Sequence, residues 1–363
     1  MRILILNWRD IKNPQGGGAE ALTHEMARRW VHRGHTVTIF TSRFSEGKHE
    51  EEVDGVRIIR KGTWWTVHAH AFYYYLFHGG SFDIVVDEVH WFPFFSGLYA
   101  RKRTVLLACE VARKLFFALF PYPLALIGRF IEKIYLRVYQ NVPVLAISSS
   151  TKADLVCEGF NPGNITVIPM GITVPRRLPN VLKEKNPTLI YVGRINKQKG
   201  IEDALVAFRL VHKQIPAAKF WVVGSGDAGY KKKIVGLIDE WGLTRSVDFF
   251  GYVSLERKFL LLARAHLLLF PSLHEGWGLV VHEAGLVSTP AISYNVSGLK
   301  DAIKHARSGI LVDPRPDALA DAVVGVLVNS KYYTTLQRGA KEEAKTHTWE
   351  RTAGKALQFL KTL

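Results

Sequence analysis

The chain contains 363 residues, of which 48% are hydrophobic and 22% are charged, and its net charge is +16. This length exceeds what one hydrophobic core usually supports and predicts two domains, while the apolar fraction excludes a disordered chain. Two cysteines, Cys109 and Cys157, are too few for a disulfide framework, so we expect a protein of the reducing cytoplasm.

In the first half of the chain, short apolar runs alternate with amphipathic segments. The predicted strands cover residues 2–8, 35–41, 56–60, 82–88, 104–109, 143–148 and 165–169. The predicted helices cover residues 19–32, 67–78, 123–139 and 151–158. Near-continuous apolar strands between amphipathic helices indicate an α/β fold with a parallel sheet covered on both faces.

The segment NPQGGGAE, residues 13–20, follows the first predicted strand and opens the first helix. Gly16, Gly17 and Gly18 would allow a ligand to approach the backbone closely, and the helix N-terminus beyond them favours anions. The glycine spacing does not match a dinucleotide-binding motif. The alternative is a plain glycine turn in which Glu20 is a first-turn carboxylate of the helix.

Residues 101–137 carry eight Lys or Arg against two Asp or Glu, together with many Phe, Leu and Tyr. A basic, aromatic and amphipathic region is typical of contact with an anionic membrane surface. The alternative is a solvated basic face beside buried helix sides. The longest apolar stretch, residues 115–128, is shorter than the roughly 20 residues of a spanning helix. Basicity alone does not support nucleic-acid binding, and we expect none.

Residues 174–187, VPRRLPNVLKEKNP, interrupt the alternation and predict an interdomain linker between domains at 1–173 and 188–346. The pattern of strands and helices then starts again. The predicted strands cover residues 188–192, 219–224, 247–251, 266–270, 291–294 and 309–312. The predicted helices cover residues 200–214, 230–240, 255–263, 318–329, 332–345 and 349–360. Two such arrays joined by a hinge predict a ligand cleft between them.

The segment VGRINKQKG, residues 192–200, ends the first strand of the second half. Arg194 and Lys199 precede a helix there and could neutralise a diphosphate, the arginine as a planar fork and the lysine as a point charge. The chain contains no Asp-x-Asp pair, so we expect no metal at this site. The alternative is two solvated surface cations.

The segment FPSLHEGWGLVVHEAG, residues 270–285, follows an apolar strand and leads into a segment with helical spacing. Its glycines and the following helix N-terminus predict an anion site. Glu275 and Glu283 suit sugar hydroxyls, which are hydrogen-bond donors, so the segment predicts a nucleotide-sugar site. Eight residues of helix would separate the two carboxylates by about 12 Å, too far for a glycosidase pair.

Together these segments resemble the retaining glycosyltransferases of family four, which have the GT-B fold of two Rossmann-like domains facing a central cleft. The resemblance covers the whole chain and is most specific in residues 188–314. It implies that the closing segment, THTWERTAGKALQFL, forms a helix at residues 349–363 that packs back on the first domain. It also implies that the loop of Gly16–Gly18 closes over the donor.

The resemblance further implies roles in the donor site. Arg194 and Lys199 would bind the diphosphate, Glu275 the sugar hydroxyls and Glu283 the ribose. The backbone would contact the sugar and phosphates at Gly276, Trp277, Gly278 and Leu279. No cofactor is implied, because the nucleotide sugar is a co-substrate.

One departure from the family affects the acceptor side. Many members carry a histidine where this chain has Cys109 followed by Glu110. A neutral thiol cannot replace an imidazole, so Glu110, His90 or the backbone would have to fill that role, with Glu20 as a further acceptor-side candidate. A lone histidine such as His90 is more often structural than catalytic. Met170 and Thr173 also differ from the residues usual in the family.

We therefore expect a metal-independent retaining hexosyltransferase that uses a nucleoside-diphosphate sugar. Its acceptor would be a glycan or a lipid-linked sugar, the latter at the inner membrane face. The alternatives are a non-catalytic nucleotide-sugar-binding or scaffold protein and a nucleotide-sugar epimerase of the same fold. The sequence does not identify the base, the sugar, the acceptor or the oligomeric state.

Overall fold

The computed structural model describes residues 1–89, 92–100, 103–113 and 115–363. The chain divides into two compact units. The first unit comprises Met1–Gly171 and Thr348–Leu363, and the second comprises Ile172–His347. Each unit contains a mainly parallel sheet with helices around it, which confirms the predicted α/β class.

The first unit is built on an eight-stranded sheet in the order β3-β4-β2-β1-β5-β6-β7-β8. Its central strands are almost fully buried, in agreement with their continuous apolar sequences. The strands are β1 (Arg2–Leu6), β2 (Thr36–Thr41), β3 (Glu50–Val53), β4 (Val56–Arg60), β5 (Ile84–Val89), β6 (Thr104–Ala108), β7 (Val144–Ala146) and β8 (Ile165–Val167).

The edge strand β3 was not predicted, and it pairs antiparallel with β4. Asp54 and Gly55 connect the two strands with positive φ angles of 52° and 78°. An Asp-Gly pair of this kind is a strong hairpin signal. The acidic sequence EEEV concealed the strand, because it lacks the apolar alternation by which strands are identified.

The helices of the first unit lie between these strands, and a last helix arrives from the far end of the chain. Trp30 donates from Nε1 to the carbonyl of Ala353 over 2.9 Å, and Thr352 donates to Pro169 O over 2.7 Å. The helices are α1 (Gly18–His32), α2 (Val67–His78), α3 (Ser96–Tyr99), α4 (Leu115–Leu119), α5 (Tyr122–Tyr139), α6 (Ser149–Cys157) and α14 (Trp349–Leu360).

The second unit is built on a six-stranded sheet, entirely parallel, in the order β11-β10-β9-β12-β13-β14. The strands are β9 (Thr188–Val192), β10 (Lys219–Val223), β11 (Val247–Gly251), β12 (Leu267–Phe270), β13 (Ala291–Tyr294) and β14 (Gly309–Val312). The helices are α7 (Ile201–Gln214), α8 (Ala228–Glu240), α9 (Leu255–Arg264), α10 (Leu279–Leu286), α11 (Leu299–Ala302), α12 (Pro316–Val328) and α13 (Ser330–Lys345).

Residues 174–187 contain neither helix nor strand, but their last part is tied to the second unit. The Lys183 ammonium donates to Ala265 O and to Thr289 Oγ1 over 2.7 and 2.6 Å, and Glu184 pairs with Arg264 over 2.6 Å. Burial lowers the pKa of Lys183 to about 7. This half-buried lysine therefore attaches the end of the linker to the second unit and is not a solvated surface charge.

Candidate active site

Two loops at the carboxyl ends of adjacent strands form the core of the candidate site in the second unit. One follows β9 and the other follows β12, and Leu273 N donates to Gln198 O over 2.9 Å between them. Gly200 has a φ of +71°, and a Cβ there would lie 1.9 Å from Pro271 O. Only glycine allows this approach, so Gly200 permits the two loops to lie in contact.

Lys199 and Glu275, which the sequence analysis assigned separately, form an ion pair between these loops. Nζ lies 2.5 Å from Oε1, and both side chains are mostly buried. Asn196 fixes the lysine's backbone by accepting a hydrogen bond from Lys199 N over 3.0 Å. A carboxylate and an ammonium held at this distance orient each other and leave the second carboxylate oxygen for another donor.

Glu283 also has a cationic partner, which the sequence analysis missed. Lys258 on α9 places its Nζ 2.7 Å from Glu283 Oε1, and both side chains are largely buried. No local pattern marks Lys258, because a lysine on an amphipathic helix is ordinarily a solvated residue. The pair is visible only once α9 and α10 are packed together.

The expected spacing of the two carboxylates along one helix is wrong. Helix α10 begins at Leu279, and Gly278 before it has a φ of +90°, which stops any helix from extending back to Glu275. Glu275 therefore lies in the loop and Glu283 on the helix. The estimate of about 12 Å, which assumed continuous helix, does not apply.

The backbone at Gly276 is held in place by a second glycine contact. Gly298 has a φ of +79°, and a Cβ there would lie 2.2 Å from Glu275 O and 2.7 Å from Gly276 C. Gly298 was not among the predicted site residues, and the short helix α11 that follows it was not predicted either. The segment between Glu275 and Gly278 is thus confined by glycines on both sides.

Trp277 turns its indole into the core of the second unit. Its ring lies 5.6 Å from that of His282 and 5.3 Å from that of His347, and the two imidazoles stack at 3.9 Å. Burial, followed by the charge of His347, keeps the pKa of His282 well below its usual value, so this imidazole is neutral. Trp277 therefore offers its backbone, not its ring, to the loop.

Arg194 lies beside this site with an exposed side chain. Its carbonyl accepts a hydrogen bond from Tyr191 Oη over 2.7 Å, and the next residue, Ile195, donates from N to Ser225 O over 2.9 Å. Gly226 lies against Ile195, where a Cβ would be 2.2 Å from the Ile195 carbonyl. The backbone of the arginine is thus fixed while its guanidinium points to solvent.

In the first unit, the loop of Gly16, Gly17 and Gly18 is anchored at both ends. At its far end, Glu20 accepts a hydrogen bond from Gly17 N over 2.6 Å and so caps α1. At its near end, Asp10 accepts two hydrogen bonds, of 2.6 and 2.7 Å, from the fully buried guanidinium of Arg60. Glu20 is therefore a first-turn carboxylate that caps α1, which agrees with the alternative interpretation of residues 13–20 as a glycine turn.

The acceptor-side candidates Glu20 and Glu110 are brought near a residue that the sequence analysis did not single out. Glu88, near the end of β5, is fully buried, and both of its oxygens lack a hydrogen-bond partner of ordinary geometry among the described residues. Burial raises the pKa of Glu88 well above its usual value, and the carboxylates of Glu20 and Asp87 raise it further. Both effects favour the protonated, neutral form of this side chain.

Cys109 lies beside Glu88 with its thiol buried and unoxidised. Burial raises the pKa of Cys109 well above its usual value, and the neighbouring Glu88 adds to the effect. The thiol is thus neutral, as the sequence analysis assumed. His90, another acceptor-side candidate, lies outside the described residues.

No group of three His, Cys, Asp or Glu side chains among the described residues comes together in a way that could hold a metal ion. No helix in the described part of the chain is long and apolar enough to cross a bilayer.

Comparison with known proteins agrees with the motifs in both halves of the chain. Residues 16–176 match the family model described as Glycosyltransferase Family 4, and residues 176–343 match that of Glycosyl transferases group 1. An uncharacterised glycosyltransferase of Methanocaldococcus jannaschii is 28% identical over 244 residues, which cover 62% of this chain and 62% of that protein. The chain thus spans less than two thirds of this relative.

Solved structures show the same fold over the full length. Sucrose-phosphate synthase from Thermosynechococcus elongatus matches with a TM-score of 0.85 and 21% identity, covering 99% of this chain and 98% of that one. HepE from Anabaena, crystallised with UDP-glucose, matches with a TM-score of 0.75 and 17% identity over the whole of both chains. With two parallel-sheet units and two family models that together cover residues 16–343, the chain belongs to glycosyltransferase family 4 and has the GT-B fold.

Proposed function

We propose that this protein is a retaining hexosyltransferase that moves a sugar from a nucleoside diphosphate to a glycan or lipid-linked acceptor without a metal ion. The observation that carries the proposal is the ion pair of Lys199 and Glu275, at 2.5 Å, between two loops whose close approach Gly200 permits. A nucleotide sugar needs a cation for its diphosphate and an acceptor for its hydroxyls, and this pair supplies both within one contact. A structural neighbour, HepE, was crystallised with UDP-glucose, which supports a donor of this class.

The other residues of the site extend this assignment. The exposed guanidinium of Arg194 joins Lys199 on the diphosphate, and the first backbone N–H groups of α10 add donors. Glu283, oriented by Lys258, accepts the ribose hydroxyls. Glu275 accepts hydroxyls of the sugar through the oxygen that Lys199 leaves available.

In the reaction, the bond between the anomeric carbon and the diphosphate oxygen breaks, and a bond to the acceptor oxygen forms on the same face. The acceptor's proton passes to the leaving diphosphate. Charge builds up on that diphosphate in the transition state, so prepositioned cations lower the barrier most. Removing one such group typically costs about 3–4 kcal/mol of transition-state stabilisation.

The first test uses two single variants. Lys199→Ala and Glu275→Ala should each lower kcat at least about a hundredfold, because each removes a contact to the reacting donor. Lys213→Ala, a lysine at the far end of α7, is the matched control and should leave turnover unchanged. Turnover is measured as nucleoside diphosphate released from a panel of nucleotide sugars, with and without glycan and lipid-linked acceptors.

The same assay separates the alternatives. Diphosphate release that requires an acceptor supports transfer, whereas isomerised nucleotide sugar without an acceptor identifies an epimerase. Donor binding with no turnover identifies a binding or scaffold protein, the possibility favoured by Cys109 in place of the usual histidine. EDTA should leave turnover intact, and strong inhibition by EDTA would contradict the metal-free mechanism.

A further inference from the structure

Helix α5 of the first unit has an apolar stripe on its outer side. Exposed apolar side chains recur at the spacing of one helix face. Phe130, for example, is 64% exposed. A helix of a water-soluble domain normally turns such a stripe inward. The exposed aromatic and aliphatic residues of the helix are Tyr122, Leu124, Leu126, Ile127, Phe130, Ile131 and Ile134.

Buried polar contacts fix this orientation. Glu132 is fully buried on the inner side and accepts hydrogen bonds from Ala112 N and Arg113 N over 2.7 and 2.9 Å. About two helical turns later, Tyr139 donates to Asp87 over 2.5 Å. Rotating the helix to hide its stripe would break these bonds and leave buried polar groups unpaired. The outward stripe is therefore a property of the fold.

The apolar surface continues across the neighbouring helices. Exposed side chains on and before α2 include Trp65 and Phe77, at 72% and 81% exposure. Between α2 and α5 lies α3, where the Tyr99 ring is 5.2 Å from the Phe72 ring and Gly97 packs against the Tyr139 ring. Helix α2 lies between β4 and β5 in the chain, and α5 lies between β6 and β7. Both connections run in the same direction across the sheet, so right-handed crossovers place the two helices on the same face.

The charges on this surface have one sign. On α5, the exposed charged residues are Lys133 and Arg137, while Glu132 points inward. The sequence from Trp64 to His78 contains no acidic residue. Exposed tryptophan and tyrosine beside aliphatic residues and cations are the composition of segments that lie at a membrane–water interface.

We propose that the apolar face, formed by the exposed apolar residues of 64–77, Leu98 and those of α5, docks on the surface of a bilayer that contains anionic lipids. The aromatic and aliphatic side chains enter the headgroup region, and Lys133 and Arg137 remain with the lipid phosphates. This inference does not rest on the proposed reaction, because binding to vesicles requires neither donor nor acceptor. It deepens the proposal of a lipid-linked acceptor by naming the face turned toward the membrane.

The experiment is vesicle flotation of the full chain with phosphatidylcholine vesicles that contain or lack about a quarter phosphatidylglycerol. The wild type should float with the anionic vesicles, and raising NaCl from about 0.1 to about 0.5 M should weaken binding. The double variant Ile127→Ser/Phe130→Ser should bind the anionic vesicles at least roughly tenfold more weakly, because it removes apolar side chains that would be buried in the lipid.

Leu182→Ser is the matched control, since Leu182 is 91% exposed but lies in the second unit. It should float like the wild type, and both proteins should keep the wild-type circular dichroism spectrum and melting temperature. No flotation of the wild type, or equal flotation of the double variant, would overturn the proposal. Light scattering could also contradict the proposal. If the wild type were a dimer and the double variant a monomer, a second copy of the chain, and not a membrane, would cover the apolar face.

Discussion

Glu88 shows how strongly the surroundings of a single side chain determine its charge. Glu88 is buried on β5 without an ordinary hydrogen-bond partner among the described residues. This burial and the nearby Glu20 and Asp87 raise the pKa of its carboxyl group well above the usual value in the folded protein. In the unfolded chain the same carboxyl group ionises near pH 4.5. The folded state therefore binds one more proton above that pH, and stability falls as the pH rises toward the folded pKa.

We predict that Glu88→Gln removes this pH dependence. A glutamine keeps the shape of the acid but cannot ionise, so its advantage over glutamate should grow between pH 5 and pH 8. The gain in unfolding free energy over the wild type should therefore be larger at pH 8 than at pH 5. Urea unfolding at both pH values measures it.

Glu46→Gln is the control for this measurement, because Glu46 is an exposed carboxylate in the same unit. Its unfolding free energy should follow that of the wild type at both pH values. A stability difference between Glu88→Gln and wild type that is the same at pH 5 and pH 8 would mean that Glu88 is ionised when folded.

At the scale of elements, the pairing of loops depends on glycines that no periodicity reveals. Gly298 directly precedes α11 with a φ of +79°, and its missing side chain leaves room for the carbonyl of Glu275. We predict that Gly298→Ala displaces the Glu275 loop and destabilises the protein by about 1–3 kcal/mol. It should also lower kcat/KM at least about tenfold, because the carboxylate would leave its place beside Lys199.

Gly236→Ala provides the comparison, since Gly236 lies on the exposed side of α8 with nothing within 4 Å of an added Cβ. It should leave turnover unchanged and stabilise the protein slightly, because alanine favours helix. Thermal unfolding and steady-state kinetics on both variants make the test. Normal kinetics in Gly298→Ala would show that the loop can relax without losing function.

Local sequence patterns predicted most of the elements and few of the contacts between them. The strands β1 and β9 are identifiable from their continuous apolar runs, and α7 from its amphipathic spacing. The pair of Lys199 and Glu275 spans 76 positions and depends on loop packing, so no local signal links its members. Lys258 was missed for the same reason, and β3 was missed because an acidic edge strand lacks the apolar alternation by which strands are identified.

At the scale of the whole molecule, the first unit is completed by a segment from the far end of the chain. Gly171 and Trp349 lie so close that a Cβ on the glycine would be 2.4 Å from Trp349 N. Helix α14 then packs on α1 and buries the side chains Trp349, Thr352, Ala353, Ala356, Leu357 and Leu360. The first unit thus acquires its full core only after the chain has passed through the second.

We predict that Leu357→Ala destabilises the first unit and leaves the second unchanged. Removing this buried side chain should cost about 2–5 kcal/mol, while Gln358→Ala, on the exposed side of the same helix, should cost almost nothing. Hydrogen exchange measures both units at once: amides of β1 should lose protection in Leu357→Ala, and those of β9 should keep it. Equal loss in both sheets would mean that the units unfold as one, and no loss in either would mean that α14 contributes nothing to the core it covers.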